Sequence, residues 1–228
     1  MSEDFYCILR GEMLLAVKVF FGHDMSKILL VIISGPPCTG KTTFGKKIAR
    51  EFRLPFISKD DIKESLFDVL GVKDRGWSKK LGLAAYKVLY YFTESLLAAG
   101  KSAIIESNFK AEYDSERFLD FQKKYAFTPV QIMCRTDGEI LFERFKKRAE
   151  SGKRYPGHVD QSNYDEFKNV LLEGYHAPLD ISGKVFDIDT TVFESIDYEK
   201  LFETIRSATN DNSYSIHGLT KGKFGSFF

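Results

Sequence analysis

The chain has 228 residues, with 33 Lys and Arg against 32 Asp and Glu, a net charge of +1 that excludes a nucleic-acid coat protein or a strongly charged tail protein. Hydrophobic residues at 43% and aromatics at 14% can build the core of one compact domain and are too abundant for disorder over most of the length. Cys7, Cys38 and Cys134 are scattered without C-x-x-C spacing or a neighbouring His, which excludes a disulfide framework or structural zinc site and suits a reducing cytoplasm.

Residues 1–26 read as an N-terminal extension. Their apolar run, Met13 to Phe21, is interrupted by Lys18 and falls far short of the ~20 residues that cross a bilayer, so no membrane partner is expected. No signal-peptide cleavage site follows it, and Met25 offers an alternative start. Ile28 to Ile33 is a continuous β-rich run ending in Ser34-Gly35, the pattern of a strand buried on both faces. A helix is predicted from Lys41 to about Phe52, then a short strand at Pro55-Phe56-Ile57. Ser58 with Asp61 reads as a capping box that starts a helix running through Phe67. Gly71 and Gly76 open a loop, and from Ser78 the positions Leu81, Ala85, Val88, Phe92, Leu96 and Ala99 predict a long core-facing helix that stops at Gly100.

Further on, the predicted elements are a strand at Ala103-Ile104-Ile105, a helix from Glu112 to Tyr125, a strand from Val130 to Cys134 and a helix capped by Asp137 that reaches about Glu150. Ser151 to His158 is a loop. A helix over Asp165 to Glu173, a strand over Val185 to Ile188 and a helix from Tyr198 to Ser207 complete the domain, predicted as 27–208. Residues 209–228, rich in Ser, Gly and Asn, read as a mobile tail. Strands alternating with helices imply a three-layer α/β sandwich around a mostly parallel five-stranded sheet, with a helical lid at about 137–160.

Gly35-Pro36-Pro37-Cys38-Thr39-Gly40-Lys41-Thr42 fits G-x-x-x-x-G-K-[ST] between a buried strand and a helix, the context this phosphate-binding loop requires. Its glycines let backbone N–H groups curl around phosphate oxygens, and the helix points its positive end at the same anion. Gly35 to Thr43 is thus the expected nucleotide loop, with Lys41 on the β- and γ-phosphates and the Thr42 hydroxyl on Mg²⁺. Cys38 is expected to lend its amide while its side chain points away. Within Ser58-Lys59-Asp60-Asp61-Ile62-Lys63, Asp60 stands where it can take the proton of an attacking hydroxyl. A helix start also draws carboxylates, so Asp61 is assigned to capping. Lys63 reads equally as a holder of an anionic acceptor or as a solvated helix lysine.

Glu106, in the strand-end cluster Glu106-Ser107-Asn108, is a second Mg²⁺ candidate in the manner of a Walker B carboxylate. Arg144 and Arg148 share a helix face, and Arg154 lies in the loop beyond; together they can close over a triphosphate. Glu143 and Lys147 read as an ordinary surface pair, and His158 as a solvent-facing loop residue.

The combination of Gly35 to Thr42, Lys59-Asp60-Asp61, Glu106-Ser107-Asn108 and an R-x-x-x-R helix resembles the P-loop kinases of the polynucleotide kinase and zeta-toxin group over about Lys27 to Ser207. The resemblance implies a general base at Asp60 and phosphate-binding lid arginines at Arg144 and Arg148. It also implies an adenine pocket near Asp189-Thr190-Thr191. The family's R-H-P-G-H loop here reads Arg154-Tyr155-Pro156-Gly157-His158, Lys63 replaces a substrate-binding arginine, and Glu106 replaces an aspartate. The expected partners are therefore ATP, Mg²⁺ and a hydroxyl acceptor, a small molecule or nucleotide. A polynucleotide 5′-hydroxyl is the rival acceptor, disfavoured by the net charge and by the lack of a Lys/Arg stripe with interleaved aromatics. A nucleotide-gated binding protein without transfer is the third reading. The acceptor pocket is sought along Asp68 to Tyr91, with Trp77, Lys79, Lys80 and Tyr86, whose aromatics a core helix would explain as well.

Overall fold

The computed structural model describes residues 28–162 and 164–209. The predicted N-terminal extension, with Cys7 and the Met13 to Phe21 run, lies outside the described residues, as does the predicted tail after residue 209. Five strands, β1 (Ile28–Ser34), β2 (Phe56–Ser58), β3 (Ala103–Glu106), β4 (Phe127–Arg135) and β5 (Lys184–Asp189), form one sheet in the order β2-β3-β1-β4-β5. Every pairing is parallel. Seven helices are present among the described residues: α1 (Lys41–Phe52), α2 (Lys59–Leu70), α3 (Arg75–Ala98), α4 (Ala111–Lys124), α5 (Gly138–Glu150), α6 (Tyr164–Glu173) and α7 (Tyr198–Thr209). No helix among these residues is long and apolar enough to cross a membrane.

The two-residue period of a strand sorts the core into two layers. Leu29, Val31 and Ile33 of β1 pack with Phe44 and Ile48 of α1 and with Phe202 and Ile205 of α7. Leu30 and Ile32 face the other way, against Leu89 of α3 and Phe118 and Phe121 of α4. A smaller cluster, Leu141 and Phe145 of α5 with Leu171 of α6, joins those two helices, and Phe145 lies 5.0 Å from the Phe167 ring. The helix after the 151–162 segment therefore belongs with α5 as a two-helix unit.

The long helix departs from expectation at its start and on its buried face. Asp74 Oδ1 accepts from the Trp77 N–H at 2.8 Å, so α3 begins at Arg75 and Gly76 falls in its first turn instead of the loop. Its buried stripe is Ser78, Leu81, Ala85, Leu89, Thr93 and Leu97, whereas Phe92, predicted to face the core, is 50% exposed. Two polar residues disguise this stripe in the sequence. Thr93 is tolerated there because its hydroxyl donates to the Leu89 carbonyl at 2.8 Å.

The segment after α6 is held to β4 by a buried amide. Gln131 Nε2 donates to the Leu179 carbonyl at 3.0 Å, and the Leu179 N–H donates back to Gln131 Oε1 at 2.7 Å. His176, in the same segment, is 8% exposed, and both ring nitrogens are buried without a hydrogen-bond partner of good geometry. Burial pushes its pKa from 6.5 down to about 4, helped by the charge of Lys41. The unfolded chain therefore takes up a proton that the folded one refuses, so stability present above about pH 6.5 is lost as pH falls toward 4. His176→Phe is expected to remove this loss. In urea titrations the wild type should lose about 2 kcal/mol more than the variant between pH 7.5 and pH 5. Parallel pH profiles for the two proteins would refute the assignment.

Candidate active site

The phosphate loop begins where β1 ends. Gly35 has φ 142° and passes so close to the Cys134 carbonyl that no side chain fits there. Thr39 Oγ1 and Lys41 Nζ both donate to the Pro36 carbonyl, at 2.9 and 2.8 Å, and keep the loop curled. Gly40, with φ 80°, leads into α1, whose first-turn N–H groups have no intrahelical acceptor. Cys38 also adopts a positive φ of 68°, and its side chain packs toward the α5–α6 cluster while forming part of the cavity wall. Pro37 and Thr43 line the same cavity.

Glu106, 5% exposed at the end of β3, is the meeting point of this end of the sheet. Its Oε2 accepts from the Thr42 hydroxyl at 3.1 Å and the Ser58 hydroxyl at 2.8 Å, and its Oε1 lies 4.0 Å from Lys41 Nζ. Burial pushes the Glu106 carboxyl above the usual range and Lys41 below it, and each charge opposes the other's shift. Ser58 is thus the residue before α2 without capping it, since its hydroxyl is turned to Glu106. The predicted capping box does not form, and Asp61 lies 3.9 Å from Lys46 instead. Thr42, Glu106 and Ser58 supply oxygen donors at one point, a set that fits a hard divalent cation completing its shell with phosphate and water. No cluster of three His, Cys, Asp or Glu side chains forms a metal site among the described residues.

Asp60 sits in the first turn of α2 on the wall of the cavity. Lys59 Nζ lies 3.1 Å from its Oδ1, and Arg154 Nη2 lies 3.1 Å from its Oδ2. Burial raises the Asp60 carboxyl, but Lys59 and Arg154 outweigh burial and hold it well below the usual carboxylate range. Arg154 also reaches Asp160 at 3.1 Å and Glu64 at 3.4 Å, and Arg148 reaches Asp160 at 3.4 Å. His158 is 4% exposed, with Nε2 2.8 Å from Glu64 Oε1, so the expectation of a solvent-facing histidine is corrected. The loop carrying it folds inward because Tyr155 stacks on Phe67 at 5.6 Å and donates to Asp68 at 2.6 Å.

Arg144 points elsewhere than Arg148 and Arg154. Its guanidinium donates to the Thr190 and Thr191 carbonyls at 2.9 and 2.7 Å and lies 4.8 Å from the Phe193 ring, which in turn covers Gly40. The three predicted arginines therefore share one cavity without forming one clamp. Glu143 pairs with Lys146 at 2.9 Å, not with Lys147. The cavity measures about 810 Å³, within the range of small-molecule sites. Lys79 and Tyr86 line it as expected, whereas Trp77 and Lys80 do not, and the Trp77 indole donates to the Gly71 carbonyl at 3.0 Å. Arg75, Ser78 and Gly82 of the expected Asp68 to Tyr91 stretch also line it, as do Asp160 and Phe193, which no sequence motif marks.

A family model described as an AAA domain matches residues 30–173. The chain belongs to the AAA domain family. The matched stretch runs from within β1 to the end of α6, so it holds the phosphate loop, Asp60, Glu106 and all three arginines; Thr190, Thr191 and Phe193 lie beyond it. No curated protein matches the chain. A crystal structure of a provisionally named kinase from Chloroflexus aurantiacus is 37% identical with a TM-score of 0.72, over 81% of this chain and 99% of that one. A sugar kinase from a Janibacter species (17% identity, TM-score 0.46, 81% and 95% coverage) and shikimate kinase from Bacteroides thetaiotaomicron (15%, 0.43, 80% and 99%) also match.

Within this AAA domain, Gly157 is the tightest point of loop docking. A Cβ at this position would fall 2.5 Å from carbons of the Phe67 ring, which is itself buried. Gly157→Ala should lift the loop from α2. Tryptic cleavage after Lys153 and Arg154 is expected to rise about tenfold, while global unfolding shifts little. Unchanged cleavage would show that the contact does not hold the loop.

Proposed function

We propose that this chain is an ATP-dependent kinase that moves the γ-phosphoryl group to a hydroxyl of a small acceptor. One observation carries the reading: a single cavity of about 810 Å³ joins the phosphate loop to a carboxylate, Asp60, on the opposite wall. The acceptor hydroxyl oxygen would form a bond to the γ-phosphorus as the bond to the β,γ-bridging oxygen breaks and ADP leaves. Asp60 would orient the hydroxyl and take its proton. Held ionised by Lys59 and Arg154, Asp60 is a weak base, which suits a loose transition state in which the proton leaves late. Lys41 would reach the β- and γ-phosphates after exchanging its contact with the Pro36 carbonyl. Thr42 and Glu106 would hold Mg²⁺, whose charge neutralises the phosphate oxygens when bound. Arg148 and Arg154 would stabilise charge on the transferring group, and Arg144 with Phe193 would border the base of the nucleotide.

The 37% identical protein bears the name of a kinase, and the residues shared with the polynucleotide kinase and zeta-toxin group support the same chemistry. The net charge of +1 and the lack of a Lys/Arg stripe with interleaved aromatics favour a small acceptor over a polynucleotide. Transfer of labelled γ-phosphate from Mg·ATP to nucleosides, sugars, sugar acids and 5′-hydroxyl oligonucleotides tests the proposal. Asp60→Asn is expected to lower kcat by about 10²–10⁴ while changing ATP affinity little, and a fully active variant would sink the base assignment. Lys41→Ala should weaken ATP binding by at least about tenfold in a fluorescent-nucleotide titration, and equal affinity would contradict the loop's role.

A further inference from the structure

The residue before α2 forgoes the hydrogen bond its position offers. Ser58 has φ −102° and ψ 132°, the extended backbone of a helix cap, yet its side chain caps no N–H of the first turn. The hydroxyl, on a residue only 1% exposed, donates instead to Glu106 Oε2 at 2.8 Å. A side chain that passes over its local partner for a distant one marks a place where the site, not the helix, sets the choice.

Glu106 needs such a hold. A glutamate has three rotatable bonds, and its carboxylate keeps one position only when neighbours fix it. On the phosphate-loop side Glu106 meets Thr42 at 3.1 Å and Lys41 at 4.0 Å, both longer contacts than the one to Ser58. On the other side Ser58 stands opposite Glu106 in the parallel register of β2 and β3, so its hydroxyl is carried by paired strand backbone. Of the three oxygen groups gathered here, Thr42 and Glu106 line the cavity and Ser58 does not. Thr42 gives its proton to Glu106 and accepts from no described residue, so its oxygen keeps lone pairs for a cation in that cavity. Lys41 and Thr42 are also the groups a nucleotide and its cation would engage, whereas Ser58 has Glu106 alone.

We propose that Ser58 is the positioning residue of the divalent-cation site, fixing the Glu106 carboxylate, and through it the Thr42 hydroxyl, in the arrangement that holds Mg²⁺ beside the phosphate loop. Ser58 acts through Glu106 and not as a ligand. The assignment deepens the kinase reading and rests on its nucleotide and cation sites, not on its acceptor. Partners that orient metal-binding side chains in this way govern metal affinity by about 10- to 100-fold. The same bond ties the cation site to the strand end that leads into Asp60.

The test uses Mn²⁺ as a paramagnetic stand-in for Mg²⁺, with the free ion followed by electron paramagnetic resonance in titrations of the full-length protein with ADP, against ADP alone. Ser58→Ala is expected to weaken Mn²⁺ binding in the protein–ADP complex by about tenfold or more, while ADP affinity in EDTA, read with a fluorescent ADP analogue, changes by less than about twofold. Ser58→Thr, which keeps the hydroxyl, should stay within about threefold of the wild type. Four results would overturn the assignment: no ADP-dependent Mn²⁺ binding by the wild type, unchanged Mn²⁺ affinity in Ser58→Ala, equal losses of metal-free and metal-dependent binding, or a Thr variant as weak as the Ala variant. Label transfer from Mg·ATP is measured in parallel. A Ser58-dependent Mn²⁺ site without transfer to any acceptor would keep the positioning role and remove the kinase reading, whereas transfer with unchanged Mn²⁺ affinity in Ser58→Ala would do the reverse.

Discussion

A carboxylate buried at the end of β3 fixes the geometry of everything around it. In the sheet register Glu106 stands beside Ile33 of β1 and Ser58 of β2, so one side chain meets the strand that feeds the phosphate loop and the strand that feeds Asp60. Its two oxygens face an ammonium and two hydroxyls, and a buried ion pair of this kind holds its geometry only while its remaining positions stay hydrogen-bonded. Asp60 is two residues past Ser58, and Lys41 and Thr42 open the helix after β1. The distance between the nucleotide loop and the opposite carboxylate is therefore set by strand registration within a core whose members are almost fully buried, not by flexible loops.

Charge inside the cavity is balanced by sharing, which the net charge of +1 conceals. Arg154 is the clearest case: one guanidinium meets Asp60 and Glu64 of α2 and Asp160 of the loop after it. Asp160 serves Arg148 as well, leaving the Arg148 Nε buried without a partner. Neighbouring ion pairs of this kind stiffen one another, because each side chain has already lost its freedom to the first contact. Under the proposed function, an incoming phosphate would compete with carboxylates for these cations, and binding would be an exchange of partners within a network that is already assembled.

The sheet, the helices and the nucleotide loop were legible in the sequence because each rests on a local pattern. Ile28 to Ile33 is apolar throughout since β1 is buried on both faces, and the glycines at 35 and 40 stand where positive φ is required. What could not be read was which partner a polar residue would choose across the fold. Ser58 stands where a cap belongs and bonds a residue 48 positions away. His158 has no local feature marking it as buried; its place depends on Phe67 and Glu64, both on another element. Lys63 was evenly poised between two readings, and only the placement of α3 against α2 put Ser78 over its ammonium. The face of α3 was misjudged for a related reason, since Ser78 and Thr93 interrupt the apolar stripe at positions the tertiary structure buries.

The order of the sheet bears on how the chain emerges during synthesis. β1 is its first strand and lies at its centre, yet β2, the next strand made, never touches it. Its neighbours are β3, where Leu30 meets Ala103, and β4, where Leu30 meets Pro129. At the ~5–20 residues per second of translation, the most apolar segment of the domain waits roughly 4 to 15 s for its first partner. During that interval only β2 and the helices α1 to α3 have been made to cover it, and Glu106, which bonds Thr42 of the phosphate loop, has not. A nascent chain of this topology is thus most exposed to aggregation in its first hundred residues, before β3 has left the ribosome to pair with β1.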